Sequence, residues 1–163
     1  MTRILVVDDD PVTRAFCTQV LNQAGYRTLA ASGSSDAMWL MTSSADPFNL
    51  LVVDVFLPIS LHWQLTPVQN VYPPMNGDEM VRRMLAVVPE LRVLYMSSSS
   101  HAQLLKEGIN LSGAPFSQKP LDAETFLRSV KTTLVAPSLR RNTPLDAISS
   151  PGDRSERIPD LAA

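Results

Sequence analysis

The sequence predicts an α/β domain in which helices cover both faces of a parallel sheet. Short apolar runs alternate along the chain with longer segments of helical spacing, and most apolar runs lead into polar residues. Parallel strands need crossover connections of this kind, and helices on both faces bury such a sheet. Hydrophobic residues make up 45% of the 163 residues, which is enough for a sizeable core.

The predicted elements follow one another with recognisable starts and stops. Asp10 followed by Pro11 predicts the start of the first helix, and Gly25 its end. Ser34 or Ser35 is the expected cap of the second helix, which runs to about residue 44. The predicted strands are 3–7, 26–31, 48–53, 93–96 and 116–118. The first helix covers 11–24, and the three helices after the second cover 77–88, 102–107 and 123–134.

Two segments depart from this alternation. Residues 59–73 contain no Asp, Glu, Lys or Arg but include Trp63 and Tyr72, which predicts a long inserted loop after the third strand. Residues 136–163 are rich in Pro, Ser and Arg and have little periodicity, which predicts a disordered tail. We therefore expect one domain over residues 1–135, followed by that tail.

Composition argues against several classes of function. The formal charge is -2, with 14 basic and 16 acidic residues and no long basic run, so a nucleic-acid surface is not expected. The chain begins with a strand-like run, and no segment approaches the roughly 20 apolar residues that span a bilayer. The expected location is the cytoplasm, without membrane association. Cys17 is the single cysteine and is expected to be a small apolar residue on the first helix.

Polar side chains at the ends of different strands predict one shared site. Asp8 and Asp9 follow the first strand, Asp54 the third, Ser97 the fourth and Lys119 the fifth. In open α/β sheets, ligands bind beyond the carboxyl ends of the strands, so three carboxylates converge there if the first and third strands are neighbours. Clustered carboxylates resist ionisation unless a cation neutralises them, and Mg²⁺ prefers oxygen ligands and keeps several waters.

This set of residues suits phosphoryl transfer. Magnesium leaves coordination positions for phosphoryl oxygens, Lys119 can pair with another oxygen, and Ser97 can donate a hydrogen bond. The Asp54 carboxylate can act as the nucleophile, as carboxylates do in aspartyl-phosphate chemistry. The cations offset the charge of the transferring group. Each residue type alone more often caps a helix or lies in a solvated turn, so the prediction rests on their joint order.

Four blocks of the sequence resemble the signature blocks of response-regulator receiver domains, the CheY-like domains of two-component signalling. The resemblance covers about residues 2–135, and residues 96–120 particularly resemble receivers of hybrid histidine kinases. It implies a (βα)5 doubly wound parallel five-stranded sheet with the flavodoxin-like order 2-1-3-4-5. The blocks are Ile4-Leu5-Val6-Val7-Asp8-Asp9-Asp10-Pro11, Leu51-Val52-Val53-Asp54, Val93-Leu94-Tyr95-Met96-Ser97 and Phe116-Ser117-Gln118-Lys119-Pro120-Leu121.

The resemblance also implies a role for each site residue. Asp54 would be the phosphoacceptor and, with Asp8, Asp9 and the backbone carbonyl of Phe56, a ligand of Mg²⁺. Asp8 would act directly or through a water molecule.

Three further residues would respond to the phosphoryl group. Lys119 would contact it, and the Lys119–Pro120 peptide bond would be cis. Ser97 would be the switch hydroxyl, and Phe116 the aromatic side chain whose packing changes with it.

The same resemblance implies partners. The phosphoryl donor would be a phosphohistidine on a histidine kinase or a histidine phosphotransfer protein. Neither a kinase nor an output domain is recognisable, so we expect a stand-alone receiver that acts as a relay, a phosphate sink or a protein-binding switch. Such a signalling domain is not an enzyme, apart from its self-catalysed phosphotransfer and dephosphorylation. A homodimer formed through the insert or through the fourth and fifth helical elements stays open.

The insert interrupts a family motif beside the acceptor. Residues 54–58 fit the pattern Asp-x-x-(Leu/Met)-Pro, but its continuation, Met-x-Gly, follows only at residues 75–77. The extra residues are either a tolerated surface excursion or a lid or partner surface, because they add apolar side chains. His62 is either a loop residue or, less simply, a metal ligand or phosphoryl contact.

Two other functions compete with the receiver. The run Asp8-Asp9-Asp10-Pro11-Val12 also fits the nucleophile motif of haloacid-dehalogenase-like phosphatases, followed in order by Ser97 and Lys119. That family needs further acidic ligands after the lysine, and it leaves Asp54 without a role. The other alternative is a phosphate-independent binding module in which the insert covers Asp54.

Overall fold

A single parallel sheet organises the chain. The computed structural model describes residues 1–59, 67–111 and 113–138, apart from the side chain of Asn70. Its five strands lie in the order β2-β1-β3-β4-β5 and pair in parallel, which confirms the predicted α/β fold and flavodoxin-like order. The strands are β1 (Arg3–Val7), β2 (Arg27–Ala31), β3 (Leu50–Asp54), β4 (Arg92–Ser97) and β5 (Phe116–Gln118).

Helices cover the two faces of this sheet. One buried cluster joins one face to α1 and α6, and a second cluster joins the other face to α2, α4 and α5. No helix in the described ranges has the length and apolar composition needed to cross a membrane. The helices are α1 (Pro11–Gln23), α2 (Ser34–Ser43), α3 (Pro67–Val71), α4 (Gly77–Val87), α5 (His101–Lys106) and α6 (Ala123–Val135).

The central strand β3 shows why the sheet is rigid. Leu51 and Val53 pack in the cluster with α2 and α4, whereas Leu50 and Val52 pack in the cluster with α1 and α6. All four side chains are fully buried. Burying a Leu or Val side chain contributes about 1.5–3 kcal/mol, so β3 is held from both faces and presents its last residue, Asp54, at a defined position.

Helix caps mostly match the sequence, with one correction. Asp10 caps α1 and accepts hydrogen bonds from the first-turn N–H groups, and Gly25 beyond its end has a positive φ of 88°, both as predicted. The prediction that Ser34 or Ser35 caps α2 is wrong, because Gly33 occupies that position. The Ser34 hydroxyl instead accepts a hydrogen bond from the Met75 N–H at 2.9 Å.

The insert contains a short helix that the sequence does not reveal. Residues Pro67–Val71 form α3 in the segment 59–73 that we expect to be a loop. A helix of five residues is too short to show a periodic pattern, and its only signal is the proline at its start. Tyr72 then fixes the insert to α2 through a 2.7 Å hydrogen bond between its hydroxyl and that of Thr42.

Several predictions about the insert and the tail lie outside the described residues. These are the roles of His62 and Trp63 and the disorder of residues 139–163.

Gly77 is where the insert returns the chain to the sheet. A Cβ atom at this position would lie 3.1 Å from the backbone oxygen of Asp54 and 3.2 Å from that of Val55. Only glycine allows α4 to begin this close to the backbone that carries Asp54. The interrupted motif is therefore complete in space, with the insert forming an excursion between Pro58 and Met75.

We expect Gly77→Ala to lower the free energy of unfolding by about 1–3 kcal/mol, because the added methyl group must displace two backbone carbonyls. Gly33→Ser is the matched control, since a Cβ at Gly33 meets no atom within 4 Å. We expect the control to change stability by no more than about 0.5 kcal/mol. Urea unfolding followed by circular dichroism measures both, and equal losses would contradict the close approach.

Candidate functional site

Three carboxylates meet at the carboxyl ends of the two central strands. Val7 of β1 lies opposite Val53 of β3, so Asp8 and Asp54 follow at the same edge of the sheet. One oxygen from each of Asp8, Asp9 and Asp54 lies within 4.8 Å of the others. Asp8 and Asp54 are 0% and 7% exposed, whereas Asp9 is exposed. The convergence expected from the strand order is therefore present.

Lys119 bridges the two buried carboxylates. Its ammonium nitrogen lies 2.6 Å from Oδ2 of Asp8 and also donates a hydrogen bond to Oδ2 of Asp54. The Asp8 oxygen accepts no hydrogen bond of suitable geometry from the described residues, so the ion pair is what compensates its charge. The Lys119 N–H donates to the Ser97 carbonyl at 2.8 Å, and the Lys119–Pro120 bond is cis. These contacts hold the lysine beside the ends of the strands.

Burial and the charges of the three groups shift the pKa values of Asp8 and Lys119. Burial raises the pKa of the Asp8 carboxyl above its usual value, against the opposing effects of Lys119 and the Asp10 N–H. Burial lowers the pKa of Lys119, but the carboxylates of Asp54 and Asp8 raise it more, so the net shift is upward. One ammonium group thus faces two buried carboxylates and a third exposed one. A second cation at this edge would be favoured electrostatically.

Backbone contacts orient the carboxylate of Asp54. Its Oδ1 accepts a hydrogen bond from the Phe56 N–H at 2.8 Å, while Oδ2 faces Lys119. The Val55 N–H donates to the Met96 carbonyl at 2.9 Å, which continues the pairing of β3 with β4 beyond Asp54. Phe56 is 46% exposed at the rim of the site. Its backbone carbonyl as a metal ligand stays a prediction.

The loop from β1 to α1 is contacted by a helical residue that was not predicted from the sequence. Arg14 donates from Nη1 to the backbone carbonyls of Asp8 at 2.7 Å and Asp9 at 2.9 Å. The predicted site residues follow strand ends, whereas Arg14 lies one turn into α1 and contacts backbone oxygens. Helical side chains lean toward the N-terminus of their helix, so the position of Arg14 in α1 could have predicted its contact with the preceding loop.

The predicted switch residues lie on neighbouring strands. Ser97 ends β4, is 1% exposed, and its hydroxyl accepts a hydrogen bond from the Ser99 N–H at 3.1 Å. Phe116 on β5 is half-buried against the core, with its ring centroid 6.1 Å from that of His101. Tyr95 of β4 is paired with Phe116, so both predicted switch residues belong to one pair of strands.

The insert borders the site on one side. A polar cavity of about 230 Å³ opens beside Asp9, between the start of α2 and the insert. The residues that line it include Asp9, Ser34, Ser35, Asp36, Pro58 and Gln69.

Comparisons with known proteins agree on one class. No protein-family model matches the sequence. The chain is 25% identical over 132 residues to sporulation initiation phosphotransferase F of Bacillus subtilis, covering 81% of this chain and 93% of that protein. It is 24% identical over 136 residues to the response regulator receiver protein CpdR of Brucella abortus, covering 83% and 99%. The receiver domain of the hybrid histidine kinase CckA superimposes with a TM-score of 0.60 at 23% identity, covering 81% and 98%.

Solved structures with the same fold include receiver domains of the CheY-like class. The chain is therefore similar, in sequence and in fold, to response-regulator receiver domains, the class that the sequence blocks resemble.

We expect Lys119→Gln to lower the free energy of unfolding of the metal-free protein by about 3 kcal/mol, because two buried carboxylates lose their counter-charge. Lys131→Gln, at an exposed position of α6, is the control and should change stability by less than about 0.5 kcal/mol. Chemical unfolding in the presence of a chelator measures both. A loss at Lys119 as small as that at Lys131 would show that the ion pairs do not stabilise the fold.

Proposed function

We propose that this chain accepts a phosphoryl group on Asp54 from a phosphohistidine of a histidine kinase or histidine phosphotransfer protein. The observation that carries the proposal is the arrangement of the Asp54 carboxylate. One oxygen is held by the Phe56 N–H, and the other faces an ammonium group that also pairs with Asp8. A carboxylate beside an ammonium group at the carboxyl end of a strand suits nucleophilic attack on a phosphoryl group.

The step conserves atoms and electrons. A carboxylate oxygen of Asp54 forms the bond to phosphorus while the phosphorus–nitrogen bond of the donor breaks. The electron pair of that bond stays on the imidazole nitrogen, and the ring leaves neutral when its other nitrogen carries a proton. Lys119 already donates to Asp54 and can follow the charge onto a phosphoryl oxygen, which stabilises the transferring group. Attack of water on the phosphorus later releases phosphate.

The acidic cluster fits a magnesium ion. Carboxylate oxygens are the donors that Mg²⁺ prefers, and three of them lie within 4.8 Å of one another. Oδ2 of Asp8 pairs with Lys119 at 2.6 Å, and a carboxylate can also bind a second cation directly or through water. We propose Asp8, Asp9, Asp54 and the Phe56 carbonyl as the ligands. When bound, Mg²⁺ supplies positive charge that offsets the phosphoryl oxygens.

The response to phosphorylation is proposed to pass through the β4–β5 pair. The Ser97 hydroxyl would turn toward the phosphoryl oxygens, and Phe116 would fill the space that it leaves. Such a change is a shift in population between two packings, and it would alter the surface around α5. This surface is where we propose that a downstream partner or a second copy binds. We further propose residues 1–135 as the receiver domain and the cytoplasm as its location.

A second candidate is a binding module that never uses phosphate. It is favoured by the low exposure of Asp54, which is 7%, and by the insert that borders the site beside Asp9. The insert would then seat over the acceptor and exclude the donor.

Intact mass spectrometry after incubation with Mg²⁺ and acetyl phosphate tests the acceptor. We expect the wild type to gain one phosphoryl group and Asp54→Asn to gain none, because the attacking oxygen is absent. Asp78→Asn is the control, since this carboxylate lies exposed on α4, and it should gain the group as the wild type does. Amide exchange over residues 102–116 should differ between the phosphorylated and free samples if β4 and β5 transmit the change.

Other outcomes favour the alternatives. No mass gain in folded wild type with Mg²⁺ present would contradict the acceptor and favour the binding module, in which a partner binds Asp54→Asn equally well. Turnover of a generic aryl phosphate that is lost in Asp8→Asn would favour the haloacid-dehalogenase-like phosphatase. Unchanged amide exchange on phosphorylation would contradict the switch alone.

A further inference from the structure

The loop that carries Asp8 and Asp9 is held from two sides. On one side, Lys119 pairs with the Asp8 carboxylate. On the other, the Arg14 guanidinium donates to the backbone carbonyls of both residues, at 2.7 and 2.9 Å. Two different cations therefore contact the same short segment, one through a side chain and one through the backbone.

The Arg14 contacts have a specific electrostatic result. Among the described residues no carboxylate forms an ion pair with Arg14, so its positive charge is directed at peptide oxygens. Those oxygens carry partial negative charge next to three carboxylates and one ammonium group. One charged donor shared by both carbonyls reduces that repulsion and restricts two consecutive peptide groups, and thereby the directions of the two side chains.

The fold explains how Arg14 reaches this position. Asp10 caps α1, with its side chain accepting from the N–H groups of Val12 and Thr13 at 3.1 and 3.0 Å. The Asp10 N–H also donates to the Asp8 carboxylate at 2.9 Å. The helix start is thus tied to the loop, and the Arg14 side chain leans back over it from the first turn.

From this geometry we infer that Arg14 is a positioning residue for the magnesium ligands Asp8 and Asp9. It contacts neither carboxylate itself and sets their placement through the backbone. The inference rests on the proposed magnesium site. Groups that orient metal ligands in this way typically contribute about 10–100-fold to metal affinity.

The geometry suits arginine better than another side chain of the same charge. Both contacts come from one guanidinium nitrogen, Nη1, whose N–H groups are fixed in a plane, whereas a lysine ammonium is a point charge on a flexible chain. Arg14→Lys keeps the charge and Arg14→Gln removes it, so the two variants separate attraction from positioning.

The test measures magnesium binding by isothermal titration for wild type, Arg14→Gln and Arg14→Lys. We expect the dissociation constant for Mg²⁺ to rise about tenfold in both variants, since glutamine removes the charged donor and the lysine ammonium is not held in a fixed plane. Arg128→Gln removes an arginine from the exposed face of α6 and should leave the constant unchanged. Amide exchange at Asp10 in the metal-free protein should become faster in both Arg14 variants, with the free energy of unfolding measured alongside.

Three outcomes would overturn the positioning role of Arg14. If Arg14→Lys, or both variants, bind Mg²⁺ with the dissociation constant of the wild type, the positioning role is overturned. Weaker binding that merely follows a loss of global stability, with Asp10 exchange tracking global unfolding, overturns it too. A wild type that binds magnesium but gains no phosphoryl group contradicts the acceptor role of Asp54 and leaves the magnesium result to decide on Arg14. A folded wild type that binds no magnesium overturns the proposed magnesium site and, with it, the positioning role of Arg14.

Discussion

The site depends on the sharing of one ammonium group between two buried carboxylates. Asp8 and Asp54 end neighbouring strands, and their burial makes two negative charges costly to keep together. Lys119, which follows β5, offsets that cost by pairing with both carboxylates. The remaining negative charge favours a second cation at this edge of the sheet. An incoming anionic group could also replace a carboxylate as the partner of Lys119.

The rest of the fold keeps that arrangement in position. Alternate side chains of β3 fill two separate clusters, so the strand cannot shift without disturbing both faces of the sheet. Gly77 brings α4 against the backbone of Asp54, Tyr72 ties the insert to α2, and Met75, just beyond the insert, bonds to the same helix. The described end of the insert is therefore anchored on α2 beside the site.

The sequence predicts the frame of the molecule better than its fine contacts. The apolar runs that end in polar residues predict the parallel α/β class, and the resemblance to receiver domains implies the strand order that brings Asp8, Asp9 and Asp54 together. The predicted cap of α2 is wrong, and the Ser34 hydroxyl bonds instead to the Met75 N–H beyond the insert. This is a tertiary contact that no local sequence pattern contains. Arg14 and α3 are missed for related reasons: one acts on backbone oxygens, and the other is too short to be periodic.

The central claim is that the Asp8, Asp9 and Asp54 carboxylates form a cation site that Lys119 occupies in part. Isothermal titration of Mg²⁺ into wild type and Lys119→Gln tests it most directly, because removing the ammonium removes a competitor for the same oxygens. We expect magnesium to bind several-fold more tightly to folded Lys119→Gln than to wild type. Weaker binding by the variant, or no binding by either protein, would contradict the account.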